Sequence, residues 1–264
     1  MIALVGDAEI AYDDIGSGLP VIFLHAFPLN RTMWEPQISA LVGDCRCIPI
    51  DFRGLGESSD APPYSVARYA DDVVGVLDTL HIERAVIVGL SLGGYVAFAL
   101  WRRHPDRIRG LVLADTRATP DTVAQAERRR MMIEVAESEG SGAVANLQIA
   151  SIVGKTTRTK RPDIYDAIHR MIAQAPVNGV VGALEAMMER PDSTPTLATI
   201  DVPVLIVVGD EDAATPSRES RAMHAAIPGS RLEVIHDAGH LSNLERPAAF
   251  NTVLREFLGS LLYS

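Results

Sequence analysis

Cysteine is nearly absent from this chain of 264 residues: there are two, Cys45 and Cys47, set two positions apart in one apolar run. Side chains at i and i+2 of a strand face the same way, a poor geometry for a mutual bridge, so a disulfide framework is excluded and reduced, buried thiols are expected. No apolar run approaches the roughly 20 residues that a membrane-spanning helix needs. The opening stretch Met1-Ile2-Ala3-Leu4-Val5-Gly6-Asp7 has no basic n-region and too short an apolar segment for a signal peptide, and the expected location is the cytoplasm. Positive charge is also in short supply. Lys and Arg total 24 against 34 Asp and Glu, a net charge of −10 that disfavours nucleic acid and anionic membranes as partners. The basic cluster Arg128-Arg129-Arg130 stands beside Glu127 and Glu134 in a helical stretch and reads as a solvated face. His81, His104, His169 and His224 fall at helix surfaces or ends with no ligand spacing among them, and no metal or cofactor is implied.

What the chain does have is alternation. Its length suits one large α/β domain rather than several small ones. Residues 1–12 read as a hairpin turning at Gly6-Asp7. Strands are expected near 20–25, 46–51, 85, 110, 202 and 231, and helices lie between them. Val66, Tyr69, Ala70, Val73, Val74, Leu77 and Leu80 keep helical spacing behind Ser65, a plausible N-cap. Thr215-Pro216 and Arg246-Pro247 put proline at the starts of helices near 216–227 and 247–262. Such alternation means a largely parallel sheet covered on both faces. Between 117 and 196 the strand pattern gives way to helical stretches broken by Gly140, Gly142, Gly154, Pro162, Pro176 and Pro191. The expected organisation is therefore a core of residues 1–116 and 197–264 with a helical cap, 117–196, inserted between core strands. Met131, Met132, Met171, Met187 and Met188 in that cap read first as packing residues, with a lipophilic acyl site as the alternative.

Gly89-Leu90-Ser91-Leu92-Gly93 carries the chemistry. It follows the buried-strand run Ala85-Val86-Ile87-Val88 and opens an apolar helix. A glycine-rich bend packing a helix on a strand would use the same letters, but a strand-turn-helix context marks a serine raised above the sheet. Small residues two positions either side let the crowded backbone close around it. The N-terminus of the following helix then faces Ser91, with the N–H of Leu92 available to an oxyanion. A hydroxyl needs a base, and the base an orienting acid. After the run 202–208 come Asp210, Glu211 and Asp212, and after the run 231–235 comes His240. Asp212 is the choice of acid and His240 of base. Asp115, closing the strand 110–114, is the alternative acid, and Asp210 reads as a solvated carboxylate. His25 and His236 read as loop or core histidines holding backbone.

The order Ser, Asp, His on successive strand-end loops resembles the α/β-hydrolase superfamily, over roughly residues 21–258 outside the middle segment. Other stretches match it independently. His25-Ala26-Phe27-Pro28 resembles the HGxP oxyanion loop, Asp51-Phe52-Arg53-Gly54-Leu55-Gly56-Glu57-Ser58 the D-x-R-G-x-G-x-S turn, and Gly239-His240-Leu241 the histidine loop. The resemblance implies nucleophile Ser91, acid Asp212, base His240, and an oxyanion hole formed by the Phe27 and Leu92 amides. Ala26 departs from the usual glycine and would be strained if that position required positive φ. Pro28 is a candidate for a cis bond.

Ser91 argues against the dehalogenase and epoxide-hydrolase branches, which use aspartate there. The chain looks most like the carboxylesterase and 3-oxoadipate enol-lactonase group, and a carboxylesterase for small to medium acyl groups ranks first. The enol-lactonase ranks second, ahead of a cofactor-free perhydrolase, a carbon-carbon bond hydrolase and a ligand receptor without turnover. An enol-lactone diacid needs a cation for its distal carboxylate, for which Arg117, Arg158 and Arg161 are candidates. The partner implied is a small ester or lactone; a homo-oligomer is compatible with the sequence.

Overall fold

The computed structural model describes residues 1–262. Strands β1 (Ile2–Val5) and β2 (Ala8–Ala11) form the antiparallel hairpin, with Gly6 at φ +61° in its turn. Strands β3 (Ile15–Gly16) and β4 (Leu19–Leu24), helix α1 (Glu35–Leu41), strand β5 (Cys45–Ile50), helix α2 (Val66–Thr79), strand β6 (Ala85–Leu90), helix α3 (Leu92–Arg103) and strand β7 (Ile108–Ala114) follow. Next come helices α4 (Val123–Glu139), α5 (Ser141–Ile152), α6 (Lys155–Lys160), α7 (Pro162–Ala173), α8 (Val177–Met188) and α9 (Thr194–Leu197). The chain returns to the core with β8 (Val204–Gly209), α10 (Ser217–Ala226), β9 (Arg231–Ile235), α11 (Ser242–Glu245) and α12 (Pro247–Ser260). The main sheet runs β3-β5-β4-β6-β7-β8-β9, with only the short β3 antiparallel to its neighbour.

Local chemistry accounts for these elements. Every residue of β6 and of β8 is buried, which suits strands covered on both faces. Edge strand β9 instead exposes Arg231 and half-buries Glu233, charges that blunt an open edge. Ser65 caps α2 by accepting from the Arg68 N–H. The buried face of α2 includes Val66, Tyr69, Ala70, Val73 and Leu77 and adds Val76, while Val74 and Leu80 sit half-buried at its margin. Pro247 opens α12, whereas Pro216 stands one residue ahead of α10 as its N-cap. Cys45 and Cys47 are free and buried on β5, and burial pushes the Cys47 thiol up to about 12.

Strand order positions the site. From β4 the chain steps to β5 on one side and then crosses to β6 on the other, so a crevice opens where β4 and β6 end. The register pairs Leu24 with Gly89, which brings the loop after β4 level with Ser91. This close approach explains both motif glycines. A Cβ on Gly93 would stand 2.2 Å from the Leu24 carbonyl oxygen, and one on Gly89 would stand 2.3 Å from that of Gly93. Gly93→Ala must therefore push α3 away from β4. It is expected to cost about 1–3 kcal/mol, read as a melting temperature lower by about 2–4 °C for each kcal/mol; unchanged melting would show that the helix start has slack.

Candidate active site

Ser91 occupies the turn between β6 and α3 with φ 54° and ψ −107°, a backbone state that a non-glycine residue holds only when its surroundings impose it. Its N–H donates to the Ala114 carbonyl at 3.0 Å, its own carbonyl accepts from the Thr116 hydroxyl at 2.8 Å, and α3 behind it is buried from Leu92 to Trp101. The Oγ is thereby aimed at the crevice and meets His240 Nε2 at 2.8 Å. His240 Nδ1 lies 2.9 Å from Asp212 Oδ2. All three residues are buried. Asp212 Oδ1 accepts from the Ala214 and Thr215 amides, and its Oδ2 accepts from the Thr215 hydroxyl, itself 3.2 Å from His240 Nδ1.

Electrostatics follow from this packing. Burial alone would lower the His240 pKa, but the charge and hydrogen bond of Asp212 outweigh it and hold the imidazole above its usual range. Burial would raise Asp212, and His240 with the Thr215 donors holds it below the ordinary carboxylate range instead. The carboxylate is thus held in its charged form beside an imidazole whose tautomer it fixes.

The loop after β4 is pinned by His25, which is wholly buried. Its Nδ1 donates to the Ala26 carbonyl and its Nε2 accepts from the Phe52 N–H, so the ring must be neutral, and burial lowers its pKa accordingly. Ala26 does not adopt positive φ, so the strain considered for it does not arise, and the Phe27-Pro28 bond is cis. Among the described residues no protein acceptor takes the Phe27 N–H, and that of Leu92, first residue of α3, has no partner inside the helix. Two free amides therefore flank the serine. The Asp51 turn buttresses this loop: the Asp51 carboxylate accepts from the Arg31 and Glu57 amides, and Arg53 forms a buried bidentate pair with Asp72.

The remaining acids are placed elsewhere. Asp115 is fully buried and accepts from the Gly209 amide and from the amide and hydroxyl of Ser242, with no bond to His240. Burial and the nearby Asp212 charge push its pKa up. Asp210 pairs with the exposed His236. Glu211 and Glu245, which sequence reasoning left without a role, tie the histidine loop to the segment after β7. Glu245 accepts from the Gly154, Gly239 and Leu241 amides, Glu211 accepts from Thr156, and the His240 N–H donates to the Ile152 carbonyl.

A cavity of about 160 Å³ opens over Ser91 and His240, floored by Phe27, Tyr95 and Thr215 and walled by Met132, Gln148, Ile152 and Met187. It is small beside the roughly 300–1,000 Å³ of drug-sized ligand sites. Two larger depressions, of about 690 and 740 Å³, lie at the amino ends of the strands, away from the serine. Of the five methionines between residues 117 and 196 named above, Met132 and Met187 reach the cavity wall, while Met131 is 52% exposed. Arg128 and Arg129 also reach the cavity; the reading of that run as a solvated face holds for Arg128, exposed at the cavity edge, and for Arg130, paired with Glu127 at the surface, and is corrected for Arg129, which turns inward onto Asp121. Arg117 is on the wall, whereas Arg158 is exposed outside it and Arg161 pairs with Asp163. Among the described residues no group of three or more His, Cys, Asp or Glu is gathered to hold a metal ion.

A serine on a strand-to-helix turn at the end of a central parallel strand, with acid and base on later strand ends, defines the α/β-hydrolase class. Residues 20–247 match the family model described as alpha/beta hydrolase fold, and the chain belongs to that family. It superposes on a thermophilic esterase from Thermogutta terrifontis, malate bound, with a TM-score of 0.95 and 40% identity over 99% of this chain and 98% of that one. The enol-lactonase from Burkholderia xenovorans LB400 superposes with a TM-score of 0.92 and 30% identity, covering 98% of this chain and 100% of its own. In sequence, a pimeloyl-[acyl-carrier protein] methyl ester esterase of Neisseria meningitidis is 31% identical over 248 residues, 90% of this chain and 93% of that protein.

Proposed function

We propose that the protein is a serine carboxylesterase for small to medium acyl groups, working through an acyl-enzyme. The observation that carries this reading is the continuous hydrogen-bonded series from Ser91 Oγ through His240 to Asp212, at the base of a small cavity. His240 Nε2 takes the Ser91 proton as Oγ attacks the ester carbonyl, and the carbonyl oxygen becomes an oxyanion between the Phe27 and Leu92 amides. Collapse of the tetrahedral intermediate expels the alcohol, which receives the proton from His240. Water then attacks the acyl-enzyme with His240 again as base, releasing the acid and restoring the Ser91 hydroxyl. Asp212 fixes the His240 tautomer and stabilises the imidazolium without itself taking the proton. Helices α4 to α9 act as the cap over this centre, spanning about residues 117–196 within a core of 1–116 and 197–264. The setting proposed is the cytoplasm, where buried thiols such as those of Cys45 and Cys47 stay reduced.

An enol-lactonase is the second reading, favoured by the likeness to the Burkholderia xenovorans enzyme. Hydrolysis of p-nitrophenyl acetate, butyrate and octanoate, run beside 3-oxoadipate enol-lactone, separates the two. The esterase reading expects turnover falling steeply from butyrate to octanoate as the chain outgrows the cavity. Fast opening of the lactone with feeble ester cleavage would give the second reading the protein.

A further inference from the structure

The chain carries a net charge of −10, yet the wall of its catalytic cavity holds three arginines, Arg117, Arg128 and Arg129, and no acid. One carboxylate behind the wall, Asp121, is shared among Arg117 at 2.6 Å, Arg129 at 2.5 Å and Arg190 at 2.9 Å. Arg190 is further spent on the Met187 and Thr119 carbonyls and on the face of Tyr95, 4.1 Å from the ring centroid. Three guanidinium groups therefore share a single counter-charge. The Arg128 side chain has neither an ion pair nor a hydrogen bond among the described residues and stands exposed at the cavity mouth. Deeper in, two donors are left over: Arg117 Nε and Gln148 Nε2 are buried without a partner, on side chains 6% and 7% exposed. Buried N–H groups without acceptors are rare, and a surplus of guanidinium charge around them asks for an anion with several acceptor oxygens.

Resting on the ester-hydrolase reading above, we propose that the preferred substrates are esters or lactones whose acyl portion ends in a free carboxylate. Arg117 and Gln148 bind that carboxylate, and Arg128 draws it in from the mouth. Asp121 keeps Arg117 and Arg129 in place and leaves the net charge of the wall positive. A short dicarboxylic half-ester matches both demands of the cavity, its small volume and its surplus of cations. Thr215 and Met132 on the remaining wall supply neither charge.

Two esters of equal length test this. Monomethyl glutarate and methyl pentanoate differ only in replacing a terminal methyl by a carboxylate, and a pH-stat follows both. The wild-type protein is expected to favour the half-ester in kcat/KM by about tenfold or more. Arg128→Gln and Arg117→Gln should each cut that ratio by about fivefold, and added salt should cut it in the wild type. A wild-type ratio at or below one overturns the proposal. Glutarate binding to Ser91→Ala, measured calorimetrically, separates this proposal from the ester-hydrolase reading. Saturable binding that Arg117→Gln removes, without turnover of any ester by the wild type, would uphold the carboxylate site and sink the esterase reading. Absence of glutarate binding would sink the carboxylate site even if neutral esters are cleaved.

Discussion

Ser91→Ala is expected to lose about 10³-fold or more in kcat on p-nitrophenyl butyrate while melting within a few degrees of the wild type. Ser91 makes no packing contribution comparable to the chemistry proposed for it. Its Oγ meets His240, whereas the bonds that hold the turn run through its backbone N–H and carbonyl, which alanine keeps. Alanine must adopt the same φ of 54°, and the surrounding sheet and Gly93 impose it as they do on serine. His240→Ala should fall by a similar factor, and the double variant by little more, because serine and base act as one unit. Equal activity in wild type and Ser91→Ala would remove Ser91 from the reaction.

Asp212→Asn should lower kcat/KM by about 10³–10⁴-fold and also move the pH profile. Acylation by the free enzyme requires neutral His240, so the rate rises with pH through the His240 pKa. In the wild type that limb lies above the ordinary imidazole range, because the Asp212 carboxylate favours the imidazolium. Asparagine removes the charge and leaves the burial, which favours the neutral ring, so the residual limb moves to lower pH. A residual rate whose limb moved upward would contradict this electrostatic account. Asp115→Asn is the control. It disturbs the donors from Gly209 and Ser242 and should cost about 1–3 kcal/mol in stability, yet keep activity within about tenfold. If the two variants exchanged behaviours, Asp115 would be the acid.

The fold, and the three residues that the structure brings together at the candidate site, were legible because each is written in local sequence. The Val/Ile runs of β6 and β8 are buried throughout, and Gly89 and Gly93 stand where only glycine fits. The order of Ser91, Asp212 and His240 needed no more than strand counting, and proline after Phe27 carried the cis bond. The lining of the cavity was legible only in part: Arg117, Met132 and Met187 were among the candidates, and the residues that join them were not. Helix α4 buries only Ala136, so its polar composition conceals which of its faces turns inward, and Arg129 looked like a solvent-facing residue. Asp121 gathers Arg117, Arg129 and Arg190 from three separate segments, a convergence that spacing along the chain does not encode. Glu245 likewise reaches Gly154 across 91 positions. The Ser-x-x-Glu spacing of Ser242 and Glu245 at the start of α11 was the available hint that this glutamate bonds backbone amides.

The central claim is that Ser91 becomes acylated, and intact-protein mass spectrometry after brief mixing with p-nitrophenyl acetate, quenched in acid, tests it most directly. The account predicts a single acetyl adduct, mapped by digestion to the peptide containing Ser91 and absent from Ser91→Ala. A fluorophosphonate probe should modify the same residue in a ratio of one to one. Turnover of ester with no adduct on Ser91, or with the adduct on another residue, would contradict it.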